Sequence, residues 1–179
     1  MAKPWFIAIE KFGPESGESW QRYVELSELN QLKEVVSFDD VLCPEVIKEL
    51  SDEDWQHNVA EDYVCFFFRD LDYLLQKVAD YSNINILATI REPKVDCKDC
   101  YQDKRFEFIG YDLVEVNGGT SALTNCGGFE KAFENEELSE VGLISSFERA
   151  REIQQLLKKH YSEEHHAKCD VWAIWKMKD

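Results

Sequence analysis

The sequence predicts one α+β domain over residues 1–179, built on a single mixed or mostly antiparallel sheet of about five strands, with the N- and C-terminal strands central and two to three helices packed on it. Three observations carry this. The two terminal segments are apolar on both alternating faces, two interior segments have strand patterning, and two others repeat apolar residues at helical spacing.

In chain order, Trp5-Phe6-Ile7-Ala8-Ile9 is apolar on both faces and reads as a strand covered on two sides. Gly13-Pro14-Glu15-Ser16-Gly17 is a loop. Leu29, Leu32 and Val36 suggest a short helix over residues 27–36. Phe66-Phe67-Phe68 reads as a short buried strand, which explains its aromatic character better than a ligand-stacking platform does. Asp70 is a good N-cap for Leu71, Leu74, Leu75 and Val78, which predicts an amphipathic helix over 70–81. Ile84 to Ile90 places its isoleucines on one face, and Phe106 to Val116 is a long strand interrupted at Gly110, where a bulge is expected. Asn117-Gly118-Gly119 turns the chain into Thr120–Thr124, a hairpin signal. Ser145 and Glu148 form a capping box ahead of Phe147, Ala150, Ile153 and Leu157, and Lys158, Lys159 and His160 suit the negative helix end, giving a helix over 146–161. Val171-Trp172-Ala173-Ile174-Trp175 is the last two-faced strand. The terminal strands, being apolar throughout, belong near the sheet centre.

Composition bounds the function. The chain has 36 acids against 20 bases, a formal charge of -16, and a field of that sign repels phosphate backbones and anionic membrane surfaces. Direct nucleic-acid or membrane binding is therefore not expected. The apolar stretch at Trp5–Ile9 is too short for a secretion signal and no run approaches a membrane span, so a cytoplasmic location is expected. A reducing cytosol keeps thiols free, so Cys43, Cys65, Cys97, Cys100, Cys126 and Cys169 are expected to form no structural disulfides.

Several constellations bear on chemistry. Cys97-Lys98-Asp99-Cys100 with His166-Ala167-Lys168-Cys169 offers four soft ligands at spacings that suit tetrahedral zinc, although the long separation between the halves carries no information. A thioredoxin-like use of Cys97 and Cys100 is opposed by Asp96, Asp99 and Asp103, whose charges disfavour the thiolate. Cys126, at a glycine turn, with His165 or His166 as base and Asp170 as orienter, would make a cysteine hydrolase. His57 beside Trp55 reads as a packed residue. The chain contains neither G-x-G-x-x-G nor G-x-x-x-x-G-K, so nucleotide chemistry lacks support and no cofactor is expected.

Charge is uneven. Residues 38–63 hold nine acids against Lys48 alone, whereas residues 146–179 hold seven bases and six acids. Trp55, Val59 and Tyr63 interleave with those acids, and aromatic anchors within a charged field are what a tight protein interface uses. This predicts a site for a basic protein partner on Asp39, Asp40, Glu49, Asp52, Glu53, Asp54, Trp55 and Asp62. In size and charge the chain is similar to an immunity protein, or another inhibitor that masks a basic, nucleic-acid-directed enzyme. The alternatives are the cysteine hydrolase and the zinc protein just described.

Overall fold

The computed structural model describes residues 3–38, 42, 50–62, 65–116, 119–125, 132–164 and 167–178. Its centre is one antiparallel sheet of six strands, β1 Trp5–Glu10, β2 Val59–Asp62, β3 Phe66–Phe68, β4 Ile84–Arg91, β5 Phe106–Glu115 and β6 Cys169–Met177, in the order β2-β3-β1-β4-β6-β5. The helices are α1 Glu18–Ser27, α2 Asp52–His57, α3 Leu71–Lys77 and α4 Phe147–His160. The fold is thus α+β with a single sheet, and both terminal strands are interior: β1 lies between β3 and β4, and β6 between β4 and β5.

The two-faced strands are explained by two apolar layers. On one face Phe6, Ala8, Ala88, Ile90, Ala173 and Trp175 meet Leu71 and Leu74 of α3 and Ala150, Ile153 and Leu157 of α4. Burying each of those large aliphatic side chains contributes about 1.5–3 kcal/mol. On the other face Ile7, Ile9, Phe67, Leu87, Trp172 and Ile174 are covered by Val36, Phe38 and Leu143. Phe67 stacks on Trp172 at 5.0 Å, and Phe38 meets the same indole edge-on at 5.1 Å. The predicted bulge is where the register slips, between Phe108 and Gly110.

Three expectations change. The helix over 27–36 does not form. The helix of this region is α1, one stretch earlier, with Trp20, Tyr23, Val24 and Ser27 at helical spacing, and it ends where Glu28 turns left-handed at φ 58°. Beyond it Leu29, Leu32 and Val35 are buried as a covering strap, not a helical stripe: Val35 donates to the Phe12 carbonyl (2.9 Å) and Val36 to that of Val141 (3.1 Å). The hairpin arm at Thr120–Thr124 contracts to a Val114–Ser121 bridge, because the Ser121 hydroxyl captures the Leu123 N–H at 3.1 Å and bends the chain. The third change concerns thiols. Cys97 and Cys100 are joined in a disulfide, and Cys65 is disulfide-bonded too. A turn closed by the Cys100 N–H on the Cys97 carbonyl (2.8 Å) brings the two Cα atoms to 4.8 Å, within bonding range, irrespective of the surrounding acids.

Polar knots pin the layers. Glu92, just past the end of β4, accepts from the Val171 N–H (2.7 Å), Gln154 (3.0 Å) and Arg151 (2.7 Å), so two α4 side chains are clamped to the interior strands β4 and β6. Burial raises the Glu92 carboxyl pKa, but Arg151, the Val171 N–H and Gln154 outweigh it and leave the group more acidic than usual. No helix among the described residues is long and apolar enough to cross a membrane.

Candidate functional site

The acidic segment is built on α2. Ser51 caps the helix, accepting from the Asp54 N–H (3.2 Å), while the Asp54 carboxylate takes the Ser51 N–H (2.9 Å) and hydroxyl (2.7 Å). Asp54 also receives a hydrogen bond from the Tyr73 hydroxyl of α3, lies 3.3 Å from the Asn58 amide and pairs with Lys77 at 3.6 Å. The Tyr73 hydroxyl and both Ser51 donors hold its carboxyl well below the usual range. Burial and the neighbouring Asp54 carboxylate push the Tyr73 phenol up. Asp54 therefore fastens α2 to α3.

Its neighbours face out. Asp52 and Glu53 are exposed, and Trp55 is 40% exposed, its ring held edge-on against Phe66 at 5.0 Å. Asp62 lies in β2, the edge strand into which α2 runs. Asp39, Asp40 and Glu49 lie outside the described residues. The arrangement presents an indole with a supported edge and two solvated carboxylates on one short helix with a fixed seat.

The thiol constellations fare differently. In the disulfide, Cys97 and Cys100 have no thiolates to offer a metal, and the turn is further tied by the Tyr111 hydroxyl, which accepts from the Cys97 N–H (2.9 Å) and donates to Asp96 (2.6 Å). Cys169 is a free, buried thiol at the start of β6. Burial first, then the Asp112 and Asp170 carboxylates, push its pKa up to about 12, so it stays protonated at neutral pH. Cys126, His165 and His166 lie outside the described residues. Among those described, no group of three or more His, Cys, Asp or Glu is arranged to hold a metal ion.

The chain matches no family model. Searches against curated proteins and against solved structures likewise gave no match.

Sequence reasoning missed a cleft of about 530 Å³ between α1, the segment after β1 and the loop after β5. Its lining includes Phe12, Tyr23, Ser37, Ser121 and Thr124, drawn from stretches far apart in the chain. Tyr23 donates to the Thr124 carbonyl across 101 residues at 2.7 Å, holding α1 against that loop. Behind the wall Ser121 donates to the fully buried Asp112 carboxylate at 2.6 Å. The hydroxyl-rich run Thr120-Ser121 and Thr124-Asn125 was the only local signal, and such runs are ordinary in loops.

Proposed function

We propose that this chain is an acidic protein-binding module, an inhibitor or immunity-type protein that docks a basic protein partner through α2 and masks a cationic, nucleic-acid-directed surface. The observation that carries the reading is Trp55, a half-exposed indole on the same short helix as the exposed Asp52 and Glu53. Seating α2 through Asp54 supports it, because a recognition element held in place before contact loses less freedom on binding. The charges supply long-range steering and the indole supplies contact area. A cytoplasmic location belongs to the same reading. The disulfide at Cys97–Cys100 bears against it, since such bonds are uncommon in reducing compartments.

The test begins with affinity capture from the source cell, followed by binding kinetics with the captured protein. Asp52→Lys with Glu53→Lys should lower the on-rate, and raising salt should do the same, since charges are screened beyond about 8–10 Å at physiological ionic strength. Trp55→Ala should raise the off-rate by about tenfold or more, as for a central aromatic anchor. Asp54 is left intact because of its structural duty. A partner whose binding ignores salt, the double reversal and the loss of the indole would refute the reading.

A further inference from the structure

The cleft beside α1 has a chemistry of its own. Its polar lining consists largely of neutral hydroxyls and amides, among them Ser19, Ser37, Thr120, Thr124, Asn83 and Asn125. Its charged members, Glu10 and Lys11, are opposite in sign. In a chain of net charge -16, a wall of this kind gives an anion little to hold.

One lining group asks for a partner. Ser37 is 2% exposed, and its Oγ makes no hydrogen bond to any of the described residues. A buried hydroxyl left unsatisfied destabilises the fold, so its retention calls for a reason such as an incoming donor or acceptor. Nearby, Phe12 contributes an aromatic surface fixed by its neighbours, with Trp20 edge-on at 5.4 Å and Tyr23 edge-on at 5.5 Å. Asn83 stands at the cleft with φ 64°, a left-handed conformation that asparagine adopts at low cost, and its carbonyl accepts the Lys11 N–H at 2.9 Å. The volume lies within the range of small-molecule pockets, about 300–1,000 Å³.

We propose that this cleft binds a neutral polyhydroxylated small molecule, in chemical class a mono- or disaccharide. Such a ligand has an apolar C–H face for the Phe12–Tyr23 wall and a rim of hydroxyls that both donate and accept, as the serine, threonine and asparagine side chains do. The site is separate from α2, so the proposal does not depend on Trp55 or on any protein partner.

Ligand-detected NMR and titration calorimetry on the full chain test it, with methyl α-glucoside, methyl β-galactoside, maltose and myo-inositol as probes. Each is run beside a deoxy analogue, and glucose 6-phosphate and glucosamine serve as charged controls. At least one neutral probe should bind with Kd of about 1 mM or tighter, and its deoxy analogue at least about tenfold more weakly, because a site that hydrogen-bonds a hydroxyl rejects the analogue lacking it. Ser37→Ala should weaken binding by about tenfold with the circular dichroism unchanged, and Asn125→Ala, outside the apolar core, should weaken it in the same direction. The Trp55→Ala variant should bind the sugar like the wild type. The proposal is overturned if no neutral probe binds below about 10 mM, if a charged control binds more tightly than its neutral counterpart, or if Ser37→Ala binds the sugar undiminished.

Discussion

Replacing Ser37 by alanine should make the free protein more stable, an uncommon direction for a change at a position only 2% exposed. The Oγ is buried without a hydrogen-bond partner among the described residues, so the native state bears the desolvation of a hydroxyl and gains nothing for it. Protein substitutions put that cost at about 1–3 kcal/mol. Alanine removes the oxygen and forfeits only its dispersion contacts, about 0.1–0.2 kcal/mol for each heavy-atom pair. The net is a gain of about 1–2 kcal/mol, which in a chain of this length raises Tm by about 2–8 °C. Calorimetry and urea unfolding should agree, with the m-value unchanged because the surface exposed on unfolding is the same. A Tm equal to or below that of wild type would refute the reasoning, since it would mean that the hydroxyl is satisfied in solution. A ligand that bonds Ser37 reverses the order: it stabilises the wild type by RT ln(1 + [L]/Kd) and the alanine variant far less.

Other consequences follow from the packing and the titrating groups. Gly110→Ala should destabilise by about 2–4 kcal/mol, because φ is 142° there and a Cβ would lie 2.8 Å from Leu143 Cβ and 2.9 Å from the Ile144 carbonyl; a loss below about 0.5 kcal/mol in urea unfolding would contradict the bulge geometry. Acid should weaken the fold through Asp103, Asp96, Glu92 and Glu137, whose carboxyls are all depressed, Asp103 to about 2 chiefly by hydrogen bonds from the Arg105 side chain and N–H. A depressed native pKa means the unfolded chain binds protons first. The contribution is therefore complete above the ordinary carboxylate range near pH 4, and it is lost as pH falls toward about 2. Urea midpoints that stay flat across that interval would count against these pairs, and Asp103→Asn should flatten part of the slope. Mass analysis before reduction should find Cys97 and Cys100 unlabelled by alkylating reagent, and in the folded protein Cys169 should react slowly because its thiol is pushed up to about 12; rapid labelling of Cys169 at neutral pH would show that burial is not holding its proton.

Local periodicity explains what was readable in advance. The α4 prediction over 146–161 meets a helix at Phe147–His160, because an N-cap, an apolar stripe and a basic end all lie within one segment. The cap is Ser146, which accepts from the Arg149 N–H at 3.3 Å, and not the expected Ser145. The α3 prediction overshoots: the helix stops at Lys77, although Leu71, Leu74 and Val78 are buried as expected. The predicted strands at Trp5, Ile84, Phe106 and Val171 all form, and β2 was missed, since Val59-Ala60-Glu61-Asp62 is short and half acidic. The spacing of Leu29, Leu32 and Val36 imitated a helix because those residues are buried for unrelated reasons along a strap.

By itself, the sequence determined the fold class, the interior position of both terminal strands, the bulge at Gly110 and the concentration of acid ahead of β3, since each is written in neighbouring residues or in composition. Tertiary structure alone decided which acids face solvent. Asp54 is chemically the twin of Asp52, yet Tyr73, 19 residues away, turns its carboxylate inward. The same holds for the cleft, where Phe12, Ser37 and Thr124 converge from three parts of the chain. Strand order and long-range hydrogen bonds arise from how the two apolar layers close over the sheet. That closure depends on the shapes of all the buried side chains together, and no window of neighbouring residues records it.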